Sequence, residues 1–191
     1  MKLNLFSIPV YIGNIDVDRV NINNKGFEKT WACKTNSSFN FSNTLEDDSA
    51  QYVLNIIYDL LRKDIHGPCK IEILNIWENR YGDKDYQEKH VHPHSHFSFI
   101  IYKEIEEGRT VFVNPSDKSI LSYYTTTFGE KTNFFELDYE PKCRQGQIVI
   151  FPSFLEHMVK GTNTYCVTMS GNVCIHIEKN NQDDKVKNDN R

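Results

Sequence analysis

The 191-residue sequence lacks several features that would assign it directly to a class of function. It has no excess of basic residues, because 22 lysines and arginines stand against 26 aspartates and glutamates. The formal charge of -4 argues against binding to a nucleic-acid backbone. No apolar run has the length of a membrane span or the form of a signal peptide. We therefore expect a cytoplasmic protein that binds neither nucleic acid nor a membrane.

Cysteine is present but does not form a recognisable pattern. The sequence has five cysteines, an odd number without a C-x-x-C pair: Cys33, Cys69, Cys143, Cys166 and Cys174. This spacing is typical of neither a zinc ribbon nor a complete disulfide framework. We expect reduced thiols that are mostly buried.

The length and composition indicate one domain. Hydrophobic residues make up 39% of the chain and charged residues 25%, which is within the range of globular proteins. No internal repeat is evident. Residues 179–191 are almost entirely polar and cannot offset the entropy cost of ordering. The prediction is therefore a single domain over residues 1–178, followed by a flexible tail.

The hydrophobic pattern predicts a mainly β protein with one long N-terminal helix packed outside a β-sandwich or small barrel. Apolar residues at three-four spacing indicate the helix over Asp47–Ile65, before Gly67 and Pro68. Leu3–Ile12 is predicted as an edge strand, and Thr30–Phe41 as irregular. The later segments are short and rich in β-branched and aromatic residues. Strands are predicted over Lys70–Asn79, His96–Glu104, Thr110–Asn114, Phe134–Tyr139, Gln147–Phe151 and Tyr165–Ile177.

Four of the seven histidines stand at alternate positions of one short segment, KHVHPHSH. Because alternate residues of a strand point to the same face, His90 and His92 can share one metal ion. A histidine-rich surface tract is the alternative interpretation of the same pattern. Pro93 interrupts the strand, so His94 is a weaker candidate for a further ligand. We expect His96 to lie at the rim of the barrel.

A second segment, RQGQIVIFPSFLEHMV, offers a partner for the histidine pair. Gly146 turns the chain, a buried strand follows, Pro152 ends it, and His157 comes after a short loop. This spacing resembles the second metal motif of double-stranded β-helix proteins. Three neutral nitrogen ligands would leave positions open for oxygen and substrate, as a facial triad does for non-haem Fe(II).

Three parts of the chain together resemble the phage-associated family of 2-oxoglutarate-Fe(II) oxygenases. They are LFSIPVYIGNI, then NIWENRYGDKDYQEKHVHPHSHFSFIIYK, and finally GQIVIFPSFLEHMV with CVTMSGN. The resemblance implies a jelly roll, also called a double-stranded β-helix, with Fe(II) as cofactor and with 2-oxoglutarate and oxygen as cosubstrates. It also implies that His90, His92 and His157 are the iron ligands.

Two positions depart from well-studied 2-oxoglutarate oxygenases. His92 stands where a carboxylate ligand is usual, and Cys166 stands where an arginine usually clamps the far carboxylate of 2-oxoglutarate. A thiol cannot make that bidentate pair. Replacement cations in the sequence are Lys103, Arg109 and Arg144. Further residues that the resemblance places beside the site are Trp77, Asn79, Ser98, Tyr102 and Asn172.

The sequence leaves three functions open. The leading hypothesis is an Fe(II) dioxygenase that hydroxylates an unknown substrate while 2-oxoglutarate is decarboxylated to succinate. The second is a cupin-type three-histidine dioxygenase that does not use 2-oxoglutarate. The absence of a carboxylate at His92 and of an arginine at Cys166 favours this second hypothesis. The third is a non-catalytic jelly-roll module, virion-associated or ligand-binding, with a structural metal such as Zn or Ni. Neither the substrate nor the oligomeric state follows from the sequence.

Overall fold

A computed structural model describes residues 7–30, 35–106, 108–122 and 136–177 of the chain. The helices in these ranges are a 3-10 turn, Val17–Arg19, and two α-helices, α1 (Asp47–Leu61) and α2 (Asp117–Ile120). The first five strands precede α1: β1 (Tyr11–Asn14), β2 (Ile22–Asn23), β3 (Glu28–Thr30), β4 (Thr35–Ser37) and β5 (Thr44–Leu45). The later strands are β6 (Cys69–Tyr81), β7 (Gln87–His90), β8 (Phe97–Ile105), β9 (Thr110–Val113), β10 (Asp138–Tyr139), β11 (Gln147–Pro152), β12 (His157–Val159) and β13 (Cys166–Ile177).

Two antiparallel sheets form the body of the protein. The larger has the strand order β1-β11-β8-β13-β6-β4-β3, and the smaller has the order β10-β9-β12-β7. From β6 to β13 the chain alternates between the two sheets, except that β9 and β10 are neighbours in the smaller one. This alternation is the topology of a jelly roll, and the prediction of a mainly β jelly roll is confirmed.

The central strands of the larger sheet are buried on both faces, so their sequences are continuous apolar runs. In β8, Phe99 and Ile101 belong to the core beneath α1, whereas Ile100 and Tyr102 belong to the core between the sheets. The strand β11 shows the same division. Successive side chains of a strand point to opposite faces, so each run of apolar residues serves two cores at once.

Helix α1 covers the outer face of the larger sheet. Val53, Ile57 and Leu61 recur every four residues and are fully buried against it. The helix begins at Asp47, as predicted, but ends at Leu61 rather than at Ile65. Gly67 has φ of 100°, a conformation that favours glycine, and turns the chain toward β6.

Part of the region predicted to be irregular is a strand instead. β4, within Thr30–Phe41, has the sequence TNS, which carries no apolar signal. Its polar side chains are buried because they find partners: the Ser37 hydroxyl donates to Asn79 Oδ1 at 2.7 Å. β4 is thus stabilised by polar contacts with a distant strand, and such contacts leave no hydrophobic pattern from which a strand could be predicted.

Some predictions fall on residues outside the described ranges. These are the start of the edge strand over Leu3–Ile12, the start of the strand over Phe134–Tyr139, and the tail 179–191. Cys33 also lies outside them, while the four cysteines that the structure describes are all free.

In the described part of the chain, no helix combines the length and the apolar character needed to cross a membrane.

The contact between α1 and the sheet should carry much of the stability. We expect Ile57→Ala to lower the free energy of unfolding by about 2–5 kcal/mol, because it leaves a cavity in a core that is fully buried. Tyr58→Ala, at a neighbouring residue that is 47% exposed, is the control and should cost far less. Urea unfolding measures both changes. Equal losses would contradict the packing described for α1.

Candidate metal centre

Three histidines meet between the two sheets. His90 ends β7, His157 begins β12, and the two are direct partners across this antiparallel pair. His92 follows two residues after His90. One ligand atom from each side chain lies within 4.8 Å of the others, and the ring centroids are 4.2 to 5.1 Å apart. The structure therefore brings together the three residues that the sequence predicted as metal ligands.

The reason for this convergence differs from the predicted one. β7 ends at His90, so His92 does not share a strand face with it. Instead the His92 N–H donates to the carbonyl of Ser153 at 2.9 Å, which ties the loop to the end of β11. The predicted strands did not include β7, because QEKH has no apolar residue. His157 comes after a short loop, as predicted, and begins β12.

Backbone carbonyls fix the tautomers of two rings. His90 Nδ1 lies 2.8 Å from the carbonyl oxygen of Glu88, and His157 Nδ1 lies 3.0 Å from that of Leu155. Because a carbonyl oxygen only accepts, both Nδ1 atoms carry the proton. The Nε2 atoms of His90 and His157 are therefore the atoms with lone pairs available to a metal.

The third ring has an unsatisfied nitrogen. His92 Nε2 is buried and has no hydrogen-bond partner, while its ring stacks on Trp77 at 5.6 Å between centroids. A buried polar atom without a partner costs about 1–3 kcal/mol. A metal ion held with His90 and His157 would satisfy it, so the residues present fit the metal that this arrangement implies.

Burial also keeps the three rings uncharged. Burial, helped by the neighbouring His90, lowers the pKa of His157 to about 3 and that of His92 to about 4. Burial likewise lowers the pKa of His90. Neutral imidazole is the form that binds metal ions, so near neutral pH no proton has to leave before a metal enters.

A buried guanidinium lines the same cavity as the three histidines. Arg109 is 1% exposed, and its Nη atoms donate to the carbonyls of Gly82 and Asp85 at 3.3 and 3.5 Å and to Thr164 Oγ1 at 3.4 Å. Its Nε has no partner, and none of the ion pairs in the described ranges involves it. A buried charge without a counter-ion is unfavourable and favours an anionic ligand.

Cys166 and Tyr102 also line the cavity, and the Cys166 thiol lies close enough to Arg109 to respond to its charge. Burial raises the pKa of the Cys166 thiol to about 11, although the charge of Arg109 acts in the opposite direction. The Tyr102 hydroxyl donates to Thr110 Oγ1 at 2.9 Å, and burial raises its pKa well above the usual range. The charge of Glu104 adds to the rise of the Cys166 pKa. Both groups are therefore neutral near pH 7.

Other predicted residues lie elsewhere. Lys103 Nζ is 3.4 Å from Glu78 Oε2, and Lys103 is not among the residues that line the cavity. Arg144 is exposed in the turn before β11. His94 is exposed with φ of 67° and is not part of the three-histidine group. His96 is exposed as well, and its Nδ1 accepts the N–H of Ile175 at 2.9 Å.

Three of the remaining predicted residues line the cavity, namely Trp77, Asn79 and Ser98, together with several that the sequence did not single out. Asn172 is not among the lining residues. It accepts from Ser98 Oγ at 2.7 Å and donates to Asn75 Oδ1 at 2.9 Å. Residues missed from the sequence are Tyr81, Gln87, Thr110, Thr168 and Ser170. Of these, alternation with Cys166 along β13 could have indicated Thr168 and Ser170.

Comparison with known proteins identifies one family. The sequence pattern of the family described as "Putative 2OG-Fe(II) oxygenase" matches residues 75–187, which include all three histidines and Arg109. No curated protein matches the chain.

Solved structures with a similar fold share little sequence with this chain. An oxidoreductase of the 2OG-Fe(II) oxygenase family from Burkholderia pseudomallei is 10% identical, with a TM-score of 0.48, over 86% of this chain and 68% of that one. HygX from Streptomyces hygroscopicus, with nickel, 2-oxoglutarate and hygromycin B bound, is 12% identical, with a TM-score of 0.45, over 83% and 74%. The viral collagen prolyl hydroxylase vCPH from Paramecium Bursaria Chlorella virus-1 is 12% identical, with a TM-score of 0.44, over 70% and 75%.

Loss of one histidine should abolish tight metal binding. We expect His157→Ala to weaken Co(II) binding by more than the roughly 10- to 100-fold that loss of an outer partner of a ligand causes. His176→Ala is the matched control, because His176 is exposed and pairs with Glu72 outside the cluster. Titration followed by the cobalt absorption spectrum measures the affinities. Unchanged binding in His157→Ala would remove this site.

The neutral histidines should make the stability of the metal-free protein depend on pH. The pKa values of His92 and His157 are lower in the folded protein than the ordinary 6.5, so the unfolded chain binds more protons below that pH. The free energy of unfolding should therefore fall as the pH drops from 6.5 toward 4. Urea unfolding at a series of pH values tests this. Because glutamine does not titrate, His92→Gln should reduce the slope of the free energy of unfolding against pH. The same slope in His92→Gln and the wild type would contradict the assigned role of His92.

Proposed function

Because the chain belongs to the putative 2OG-Fe(II) oxygenase family, we propose that it is an Fe(II)-dependent dioxygenase that uses 2-oxoglutarate and oxygen to hydroxylate a substrate. The observation that carries this proposal is one cavity lined by three neutral imidazoles and one buried guanidinium without a carboxylate partner. The first group suits a divalent metal ion, and the second suits a carboxylate.

His90, His92 and His157 would hold the Fe(II) ion. When bound, the ion supplies the activation of oxygen that couples decarboxylation of 2-oxoglutarate to hydroxylation of a C–H bond. The three imidazoles add no negative charge, so the site keeps the full charge of the metal. The full charge of the metal favours binding of an anionic cosubstrate. A ligand set that contained a carboxylate would attract the anion less strongly.

Arg109 is the residue that we propose as the anchor for the far carboxylate of 2-oxoglutarate. It supplies a buried charge close to Cys166, at the position where the sequence resemblance expects an arginine. Its Nε–H is free to donate, and the neutral Tyr102 hydroxyl lines the same cavity. Lys103 is less suited to this role because Glu78 already pairs with it.

A three-histidine dioxygenase that does not use 2-oxoglutarate is the second candidate. The three-histidine group supports it, because its ligand set contains imidazoles and no carboxylate. Arg109 argues against it, since a substrate bound through the metal alone does not require a buried cation in the cavity. A non-catalytic metal-binding module would likewise leave that charge without a role.

We also propose a reducing, cytoplasmic location. The free state of Cys69, Cys143, Cys166 and Cys174 supports it. The association with phages stays a prediction from the sequence resemblance. The same holds for the extent of the domain, residues 1–178.

Anaerobic titration with Fe(II) and then with 2-oxoglutarate tests the proposed function. A weak visible charge-transfer band is expected once the keto acid chelates the iron, followed by release of succinate when oxygen is admitted. Oxygen uptake without keto acid would instead identify the three-histidine alternative. Metal binding without either reaction, over a broad set of substrates, would favour the non-catalytic module.

Replacing Arg109 tests its role as the anchor. We expect Arg109→Met to weaken 2-oxoglutarate binding by about 10- to 100-fold, as loss of a charge-assisted hydrogen bond does. Lys103→Met is the control and should bind the keto acid normally. Co(II) binding by each variant verifies that the metal site is intact.

A second substitution sharpens the test of Arg109. Cys166→Arg, introduced into Arg109→Met, returns a guanidinium to the same end of the cavity from β13 and should restore part of the lost affinity. A keto-acid affinity that is normal in Arg109→Met would assign the anchoring role to another group.

A further inference from the structure

Gln87 is a buried amide that the proposed function leaves without a role. It begins β7, three residues before His90, is 7% exposed and lines the cavity. Its Oε1 accepts the Tyr81 hydroxyl at 3.1 Å, and its Nε2 lies 3.3 Å from His90 Nε2. The amide therefore contacts the same nitrogen that His90 offers to a metal.

The tautomer of His90 fixes the orientation of this amide. Since His90 Nδ1–H donates to the Glu88 carbonyl, His90 Nε2 carries a lone pair and can only accept. The Gln87 group facing it must be the N–H donor, so the amide oxygen faces Tyr81 and accepts from its hydroxyl. The contact with His90 decides the orientation, and the Tyr81 hydroxyl is compatible with it.

Metal binding removes the acceptor of this amide. The Nε2 lone pair of His90 cannot both coordinate a metal ion and accept the Gln87 N–H. The amide is buried, so loss of that partner leaves a donor that needs a new acceptor. Tyr81 holds the amide oxygen, which keeps the N–H directed at the metal side.

We infer that Gln87 donates a hydrogen bond to an anionic ligand bound to the metal beside His90, with the carboxylate end of 2-oxoglutarate as the ligand of the proposed function. The inference rests on the proposed metal site. Gln87 is then a binding residue that acts only once the site is loaded. Asn172 is less suited to this role, because it is not among the residues that line the cavity.

Anion binding to the Co(II)-loaded protein, followed by its absorption spectrum, tests this inference with 2-oxoglutarate and with azide as separate probes. Gln87→Leu removes the donor and should weaken both anions about tenfold or more, the effect of one charge-assisted hydrogen bond. Its Co(II) affinity should stay close to that of the wild type. Gln87→Glu adds a negative charge at the same place and should weaken anion binding further while Co(II) binds at least as tightly.

Two more variants separate the donor from general packing. Tyr81→Phe keeps the ring but releases the amide oxygen, so it should weaken anion binding less than Gln87→Leu does. Gln51→Glu is the matched control on the exposed side of α1, where Gln51 donates to Asn55, and should leave both affinities unchanged.

The outcomes distinguish this inference from the proposed function. If the wild type binds azide but not 2-oxoglutarate, and Gln87→Leu weakens azide, the inference stands while the proposed cosubstrate is wrong. If Gln87→Leu binds both anions as the wild type does, the inference is overturned. It is overturned as well if the variant loses Co(II), because the amide then serves to hold His90, or if no anion binds to the loaded wild type.

Discussion

The antiparallel pair of β7 and β12 is the contact on which the site depends. It places His157 directly opposite His90, and it does so inside a sandwich whose two sheets are held together by apolar side chains. Neither strand has an apolar pattern strong enough to form alone. β12 pairs with β9 as well as with β7, and its Val159 packs against Tyr81 and Cys166 of the larger sheet. The ligand pair is therefore a product of sheet assembly.

Burial then gives the cavity its electrostatic character. Removing the imidazoles from water keeps them neutral, so they are acceptors for a metal ion rather than cations that repel it. Arg109 cannot become neutral in this way, because a guanidinium stays charged at any ordinary pH. The cavity thus combines the nitrogen lone pairs of the three histidines with the fixed positive charge of Arg109. A chelating dianion is the class of ligand that satisfies both.

Arg109 and Cys166 show how residues far apart in the sequence come to share one cavity. Cys166 on β13 lacks the charge expected there, yet Arg109, which directly precedes β9, lies close enough to affect the pKa of its thiol. Residues on the facing surfaces of the two sheets border a common space, so the anchor that we propose for the keto acid can come from either sheet. Arg109 retains contacts to Gly82 and Asp85, which hold the guanidinium in place while it carries no counter-ion.

The sequence by itself determined the fold class, helix α1 and the three histidines, because apolar periodicity and ligand spacing are local properties. It placed His92 on a strand face and named Arg109 and Lys103 ahead of Arg144 as replacement cations, without deciding between the first two. Only the tertiary structure shows that Arg109 is buried in the cavity and that Lys103 pairs with Glu78, since burial and the choice of partner depend on residues far apart in the chain. The same reason explains why Gln87 was missed: its contact with Tyr81 forms only when the two sheets pack against each other.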